Sequence, residues 1–191
     1  MKRLLLALTL TTLIFACKKE DVKPTTTPSN TSNEVAGCMD ILAVNYYSEA
    51  TEDDGSCEYL PTQLILSGIT INAIPLTNNG ANWDVGLFGS ENPDVFYVLK
   101  QGDDEITSST SQDNIESCPI FFTEELPYTI TNLSQEYKIE LYDNDQIAGI
   151  GENELMGTCS FTPNESITTG GNTINITNNG VNMTLAIEWV Q

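Results

Sequence analysis

Four acidic side chains fall within one short stretch of the chain, residues 141–157, which reads LYDNDQIAGIGENELMG. They are Asp143, Asp145, Glu152 and Glu154, and no Lys, Arg or His lies among them. Two carboxylates held about 4 Å apart repel by roughly 1 to 4 kcal/mol, at effective dielectric constants between those of water and a protein surface. Since no basic side chain is near, a bound cation is the natural way to relieve that repulsion.

The rest of the chain has few positive charges to offer. It holds 27 Asp and Glu, 7 Lys and Arg and no His, for a formal net charge of -20. Five of the seven basic residues lie in the first 23 residues, which leaves only Lys100 and Lys138 downstream. Such a field repels nucleic acid and anionic lipid and attracts cations or basic partners. The lack of His also argues against catalytic triads and zinc sites.

A second acidic stretch, NNGANWDVGLFGSENPDVFYV, covers residues 78–98 and holds Asp84 and Asp94. Oxygen ligands without His or Cys favour calcium over zinc, and flexible loops suit calcium better than the strict octahedron of magnesium. We therefore expect one calcium site where the two stretches meet. Its predicted ligands are Asp84, Asp94, Asp143, Asp145 and Glu154.

These loops must be held by strands, because from Pro61 onward the sequence shows only strand patterns. In residues 136–143, EYKIELYD, apolar and polar side chains alternate. Near the C-terminus, Asn179-Gly180 separates two alternating runs, which is a strong hairpin signal. The predicted strands are 64–74, 95–100, 120–123, 128–131, 136–143, 155–162 and the two arms of the hairpin in 172–190. Eight strands of this length predict an all-β, antiparallel β-sandwich over residues 61–191, and a sandwich gathers its loops at two ends.

The order of these residues resembles the C2 domain, a calcium-binding β-sandwich of about this length. In that family a first loop supplies two Asp, and a third loop supplies Asp-x-Asp and a later acidic residue before a Gly. The matching segments here are 83–84, 93–98, 143–145 and 154–157. The resemblance implies calcium as the cofactor. This chain departs from the family in the wide spacing of Asp84 and Asp94, in a longer third loop, and in Glu154, where Asp is usual.

The N-terminus has the pattern of an export signal. Residues 1–16 combine Lys2 and Arg3 with an apolar run too short to span a membrane, and Cys17 follows Ala16. The segment IFAC resembles a bacterial lipobox, which implies lipidation of Cys17, and KKED after it resembles a signal for the outer face of the outer membrane. Residues 17–35, rich in Thr, Ser, Asn and Pro, are predicted to form a flexible tether.

Five cysteines in an exported chain favour disulfides. If Cys17 is lipidated, four remain, and the simplest pairing joins Cys38 to Cys57 and Cys118 to Cys159. Three connectivities stay open from the sequence alone.

Residues 36–60 form a short module that needs such a staple. Its pattern, GCxDxxAxNY followed by ATxDDGSCxY, resembles a short acidic repeat of bacterial surface and secreted proteins. The resemblance implies a calcium-stabilised spacer. A second candidate calcium site comprises Asp40, Asn45, Asp53 and Asp54; the alternative is a disulfide loop whose acidic residues are merely solvated.

Together these patterns predict a non-enzymatic, calcium-binding surface lipoprotein that acts as an adhesion or interaction module for an extracellular protein or glycan. One alternative is a carbohydrate-binding module with structural calcium, whose aromatic platform would come from Trp83, Tyr97, Tyr128 and Tyr142. Another is calcium-dependent membrane binding through apolar loop tips, with Leu87, Phe88, Ile147 and Ile150 as candidates. A glycosidase using two carboxylates is a third, with no residue pair marked for it.

Overall fold

The computed structural model describes residues 34–75, 77–84, 92–146, 152–167 and 171–191. The export signal, the lipidation site Cys17 and nearly all of the tether lie outside these residues, as do the four candidate loop tips. None of the helices within the described ranges has the length and apolar character needed to cross a membrane.

The chain after residue 61 forms two antiparallel sheets that enclose one hydrophobic core. Its strands are β3 (Gln63–Ala73), β4 (Val95–Gln101), β5 (Asp104–Ser108), β6 (Ile120–Phe122), β7 (Tyr128–Ile130), β8 (Tyr137–Asp143), β9 (Glu154–Phe161), β10 (Thr173–Asn178) and β11 (Val181–Val190). One sheet has the order β10-β11-β3-β6, with β7 also paired to β3, and the other has the order β5-β4-β8-β9. The predicted all-β antiparallel sandwich is confirmed.

All eight predicted strands are present, and β5 is a ninth that the sequence did not indicate. It begins with exposed Asp104 and Glu105 and lies at the edge of its sheet, so it lacks the apolar alternation of a half-buried strand. β6 and β7 pair with different stretches of β3 and share one edge of the five-stranded sheet. A one-turn helix, α1 (Pro163–Ser166), follows β9.

The core depends on the alternation along each strand, and β8 shows it most clearly. Tyr137, Ile139 and Leu141 are buried, while the residues between them are half-buried. Because side chains alternate strictly along a strand, the same inward face ends with Asp143. The apolar face of β8 therefore carries a carboxylate into the interior at one end of the sandwich.

Gly157 marks a close approach between the two sheets. It lies on β9, and a Cβ built there would be 2.6 Å from Cγ2 of Val181, a fully buried residue of β11. We therefore expect Gly157→Ala to lower the free energy of unfolding by about 1 to 3 kcal/mol through overpacking. Urea unfolding measures this, with Gly68→Ala as a control because its Cβ would have no neighbour nearer than 3.7 Å. Equal stability of the two variants would contradict the packing argument.

Residues 36–60 form the small module that the sequence predicted to be stapled. β1 (Ala36–Gly37) and β2 (Glu52–Asp53) make a short parallel pair, and Cys38 is bonded to Cys57 with an S–S distance of 2.07 Å. Cys38 is buried, so the staple also supplies much of the module's small interior.

The second predicted disulfide is wrong, because Cys118 and Cys159 are both free thiols. Cys159 is fully buried in β9, with its Sγ 3.8 Å from the carbonyl oxygen of Val181. Cys118 precedes β6 in the other sheet and lines a surface cavity beside Ile74. A disulfide needs Cα atoms within about 7 Å and converging Cβ atoms, which chain order alone cannot establish.

Candidate cation site

The five predicted ligands all lie at the same end of the sandwich, because β4 and β9 begin there and β8 ends there. Asp94 immediately precedes β4, Asp143 ends β8 and Glu154 begins β9. In register, Asp143 lies opposite Val95 on one side and Glu154 on the other. The order of strands β4-β8-β9 therefore brings the two acidic loops together, as the sequence predicted.

Three of the five form a tight group. One carboxylate oxygen from each of Asp84, Asp143 and Asp145 lies within 4.8 Å of the others. Asp143 is fully buried, and the other two are half-buried. Carboxylates this close repel one another strongly unless they are protonated or share a cation.

Asp143 is the most constrained member of this group. Its Oδ1 accepts a hydrogen bond from the backbone N–H of Asp94 at 2.7 Å, whereas its Oδ2 is buried and has no hydrogen-bond partner. A buried polar atom without a partner costs about 1 to 3 kcal/mol, and more when the group is charged. The bare Oδ2 therefore calls for a proton or a cation.

The pKa values of the cluster reflect the same conflict. Burial, reinforced by the charges of Asp84, Asp145 and Asp94, raises the pKa of Asp143 to about 6, although the hydrogen bond from Asp94 opposes the change. Burial also raises the pKa of Asp84 and that of Asp145, and in each case Asp94 and Glu154 contribute repulsion. All three shifts favour the protonated carboxyl when no cation is bound.

Asp94 and Glu154 surround the tight group without joining it. Oδ1 of Asp94 accepts a hydrogen bond from the backbone N–H of Asn114 at 2.6 Å. Oε2 of Glu154 accepts one from Nδ2 of Asn78 at 2.7 Å. These bonds hold both carboxylates in place beside the three-carboxylate cluster.

Sequence reasoning missed one oxygen in the same loop. Oδ1 of Asn153 is buried and, like Oδ2 of Asp143, has no hydrogen-bond partner. Asn153 precedes Glu154, the register partner of Asp143. In the sequence this amide lies between two acidic residues, and a prediction based only on carboxylates does not include it.

Neither lysine that the structure describes serves this cluster. Lys100 lies 2.7 Å from Glu140, and Lys138 lies 3.1 Å from Asp103. Both lysines are therefore paired with carboxylates outside the acidic loops, and neither neutralises the cluster.

In the small module, hydrogen bonds already engage the side chains of the second candidate calcium site. Asp40 accepts hydrogen bonds from Leu42 N–H at 2.9 Å and from the Tyr59 hydroxyl at 2.7 Å. Asp53 and Asp54 accept from the N–H groups of Gly55 and Ser56.

Asn45 bridges the backbone of Ser56 and Glu58. Within the described ranges, Asp40, Asp53 and Asp54 do not converge closely enough to hold one ion. Hydrogen bonds from Leu42 and Tyr59 lower the pKa of Asp40, and bonds from Ser56 lower that of Asp54. These side chains stabilise turns, which is the ordinary role of Asx residues in loops.

The four aromatic residues suggested as a sugar platform do not form one. Trp83 and Tyr97 are buried, with Trp83 Nε1 donating to Pro75 O and the Tyr97 hydroxyl donating to Glu124 O. Tyr128 is half-buried, and Tyr142 stacks on Phe96 with ring centroids 5.4 Å apart.

No family model matches the chain, and the comparison with curated proteins gave no match. Among solved structures, one C2 domain is 13% identical, with 68% of this chain and 98% of that chain covered and a TM-score of 0.43. A C2 domain of plant extended synaptotagmin 1 is 14% identical over 68% of this chain and 95% of that chain, with a TM-score of 0.37. A structure of extended synaptotagmin 2 that contains its SMP domain and two C2 domains is 16% identical over 68% and 27%, with a TM-score of 0.42. Sequence identity and TM-score are both low, so only the acidic loops of this chain support a function.

Proposed function

We propose that this protein binds calcium at the cluster of Asp84, Asp143 and Asp145 and acts as a non-enzymatic binding module. The observation that carries the proposal is Oδ2 of Asp143, a buried carboxylate oxygen that lacks a partner while two further carboxylates converge on it. A cation bound there would satisfy Oδ2 and remove the repulsion in one step.

Calcium is the cation that these donors suit best. Calcium takes six to eight oxygen ligands in flexible geometry, whereas zinc prefers nitrogen and sulfur and magnesium demands a near-ideal octahedron. The cluster offers only oxygen, and the chain has no His. Asp94, Asn153 and Glu154 lie at the same end of the sandwich and would complete the oxygen shell directly or through water.

Binding, rather than catalysis, is the role that we assign to the cluster. A carboxyl with a raised pKa is also a mark of general acids. Here, however, the Asp143 carboxyl is fully buried, and two more carboxylates each place an oxygen within 4.8 Å of it. Such a set is suited to holding a cation between the loops and thereby fixing them for a partner.

We further propose that the protein is exported and anchored at the outer face of the outer membrane through lipid on Cys17. The charged and apolar N-terminal pattern and the IFAC segment support export and anchoring. The Cys38–Cys57 disulfide suits an oxidising compartment. Extracellular calcium modules bind with a Kd of about 10⁻⁴ to 10⁻³ M, so a calcium-rich medium would occupy such a site. The partner would then be an extracellular protein or glycan.

A thermal melt tests calcium binding directly. In 10 mM calcium, a site with a Kd of about 10⁻⁴ to 10⁻³ M stabilises the folded protein by roughly 1 to 3 kcal/mol relative to chelator. We expect Asp145→Asn to remove most of this increase. Asp103→Asn is the matched control, because Asp103 is fully exposed and lies in the ion pair with Lys138. Magnesium at the same concentration should stabilise less.

Two other outcomes would contradict the proposed function. A melting temperature that does not respond to calcium up to 10 mM would refute the calcium site and leave an acidic sandwich of unknown partner. If calcium stabilises the protein and also makes it sediment with phosphatidylserine vesicles, the site serves membrane binding instead of adhesion. We expect the protein to remain in the supernatant, because residues 34–191 hold 25 acidic residues against two lysines.

A further inference from the structure

The outer face of the five-stranded sheet has a central area without charged side chains. Four residues from adjacent strands lie in one transverse row, in the order Asn175, Thr184, Thr70 and Phe121. With their outward-facing neighbours they form what we call the neutral face: Thr70, Asn72, Phe121, Asn175, Thr177, Asn182 and Thr184. All seven are exposed or half-buried.

This neutrality is unusual for the chain. Residues 34–191 hold 25 of the 27 acidic residues, yet none lies in the neutral face. Along β11 the first charged residue is Glu188, four positions beyond Thr184. A ligand on the neutral face would therefore avoid most of the negative field that surrounds the molecule elsewhere.

Hydrogen bonds across the strands hold the polar groups of the neutral face in fixed orientations. Nδ2 of Asn72 donates to Oδ1 of Asn182 and to Oγ1 of Thr184, each at 2.9 Å. Oγ1 of Thr184 donates to Oδ1 of Asn175 at 2.7 Å, and Nδ2 of Asn182 donates to Oγ1 of Thr177 at 2.8 Å. Each amide has two donor hydrogens and acceptor lone pairs, and the network uses only part of this hydrogen-bonding capacity. An array fixed in this way loses little entropy when a ligand binds.

Phe121 supplies an exposed aromatic ring at the end of the central row. Its side chain is 64% exposed, although its backbone is held by pairing with Thr70 and by a hydrogen bond from Gln112 Nε2 to its carbonyl oxygen at 2.7 Å. An aromatic ring offers an apolar surface, and the uncharged donors and acceptors beside it offer hydrogen bonds, so the two together suit a ligand with apolar faces and many hydroxyl groups.

The neutral face also reaches a cavity. Asn72 lies on the neutral face and lines a cavity of about 470 Å³ together with Asn82, Trp83 and Ser117. The cavity contains one carboxylate, that of Glu116, and otherwise presents amides, a hydroxyl, the thiol of Cys118 and apolar or aromatic side chains. Its volume falls in the range of small-molecule sites. It gives depth to one end of an otherwise flat surface.

We propose that the neutral face binds a neutral oligosaccharide. Phe121 would stack against the C–H face of one sugar ring, while Thr70, Asn175 and Thr184 would exchange hydrogen bonds with sugar hydroxyls. A polyanion would be repelled by the surrounding carboxylates, and a polycation would gain more from the acidic surface than from this area. A neutral, polyhydroxylated ligand matches both the charge and the chemistry.

The test is affinity electrophoresis of the full chain in gels that contain laminarin, galactomannan or xyloglucan, with alginate as the anionic control. We expect at least one neutral polysaccharide to retard the protein and alginate to have no effect. Phe121→Ala should weaken that binding at least tenfold. Leu155→Ala is the matched control, because Leu155 is an exposed apolar side chain on the other sheet, 52% exposed, and its loss should not change retardation.

Two further measurements keep the result unambiguous. Retardation should persist in chelator, so failure of calcium binding and failure of sugar binding are separate results. Asn175→Ala, which removes a polar group without touching the core, should also weaken binding, and it carries the test if Phe121→Ala does not fold. The proposal is overturned if no neutral polysaccharide retards the protein, or if retardation is the same in Phe121→Ala, Asn175→Ala and the unsubstituted chain.

Discussion

Asp143→Asn is expected to stabilise the protein in chelator and to abolish its stabilisation by calcium. The amide keeps an oxygen to accept the N–H of Asp94 and replaces the unpartnered Oδ2 with a donor that faces the carboxylates of Asp84 and Asp145. Removing a buried charge whose pKa is raised to about 6 should increase stability at neutral pH by up to about 3 kcal/mol. The same change removes the ligand on which a cation site would depend.

The opposite sign of the two effects is what makes this substitution informative. A residue with a merely structural role would destabilise the protein in both conditions when replaced. Urea unfolding in chelator and in 10 mM calcium gives both free energies, and Asp103→Asn again serves as the exposed control. A variant that is less stable in chelator, or one that still gains stability from calcium, would show that Asp143 is not the centre of a cation site.

Much of this site was predictable because it depends on alternation and strand order. The run EYKIELYD requires its odd-numbered residues to face inward, and Asp143 is the last of them. The adjacency of β4, β8 and β9 then brings Asp94 and Glu154 beside it. The alternation is a local pattern that the sequence displays directly, and the order of the two acidic loops along the chain indicated the rest.

The remaining features depend on contacts that the sequence does not display. Asp40 and Asp54 have the same residue type as Asp143, but nearby N–H groups satisfy them, so their pKa values move in the opposite direction. Chain order alone pairs Cys118 with Cys159, but Cys118 precedes β6 of one sheet, Cys159 lies on β9 of the other, and both are free. A residue type predicts a chemistry, but the hydrogen-bond partners decide whether that chemistry remains free for a ligand.

The two proposed sites divide the surface by charge. Three carboxylates crowd one end of the sandwich, while the outer face of the five-stranded sheet keeps amides, hydroxyls and one ring. Lys100 and Lys138 are both paired on the other sheet, so neither neutralises the acidic end nor charges the neutral face. Calcium at one site and a neutral ligand at the other would bind without competing for the same groups.

The stability of the calcium-free protein should fall as pH rises from about 4 to about 6. The folded-state pKa of Asp143 is raised from 3.8 to about 6, so the folded state holds a proton that the unfolded state has already lost over this interval. Deprotonation of the folded state therefore costs stability, up to about 3 kcal/mol for a change in pKa of this size. Asp84 and Asp145 shift in the same direction and add to the loss.

Calcium should reverse this dependence, because it binds only the ionised carboxylates and competes with their protons. Thermal melts at pH 4.5 and pH 7, each with chelator and with 10 mM calcium, measure all four states. In chelator the melting temperature should be higher at pH 4.5, whereas in calcium it should be higher at pH 7. Asp40 and Asp54 have lowered pKa values, so their contribution to stability is lost only as the pH falls below about 3.8. They therefore do not change the stability in this interval. Asp143→Asn should flatten the curve in chelator; if that curve is unchanged, the titrating group lies elsewhere and the buried carboxylate is not the origin of the effect.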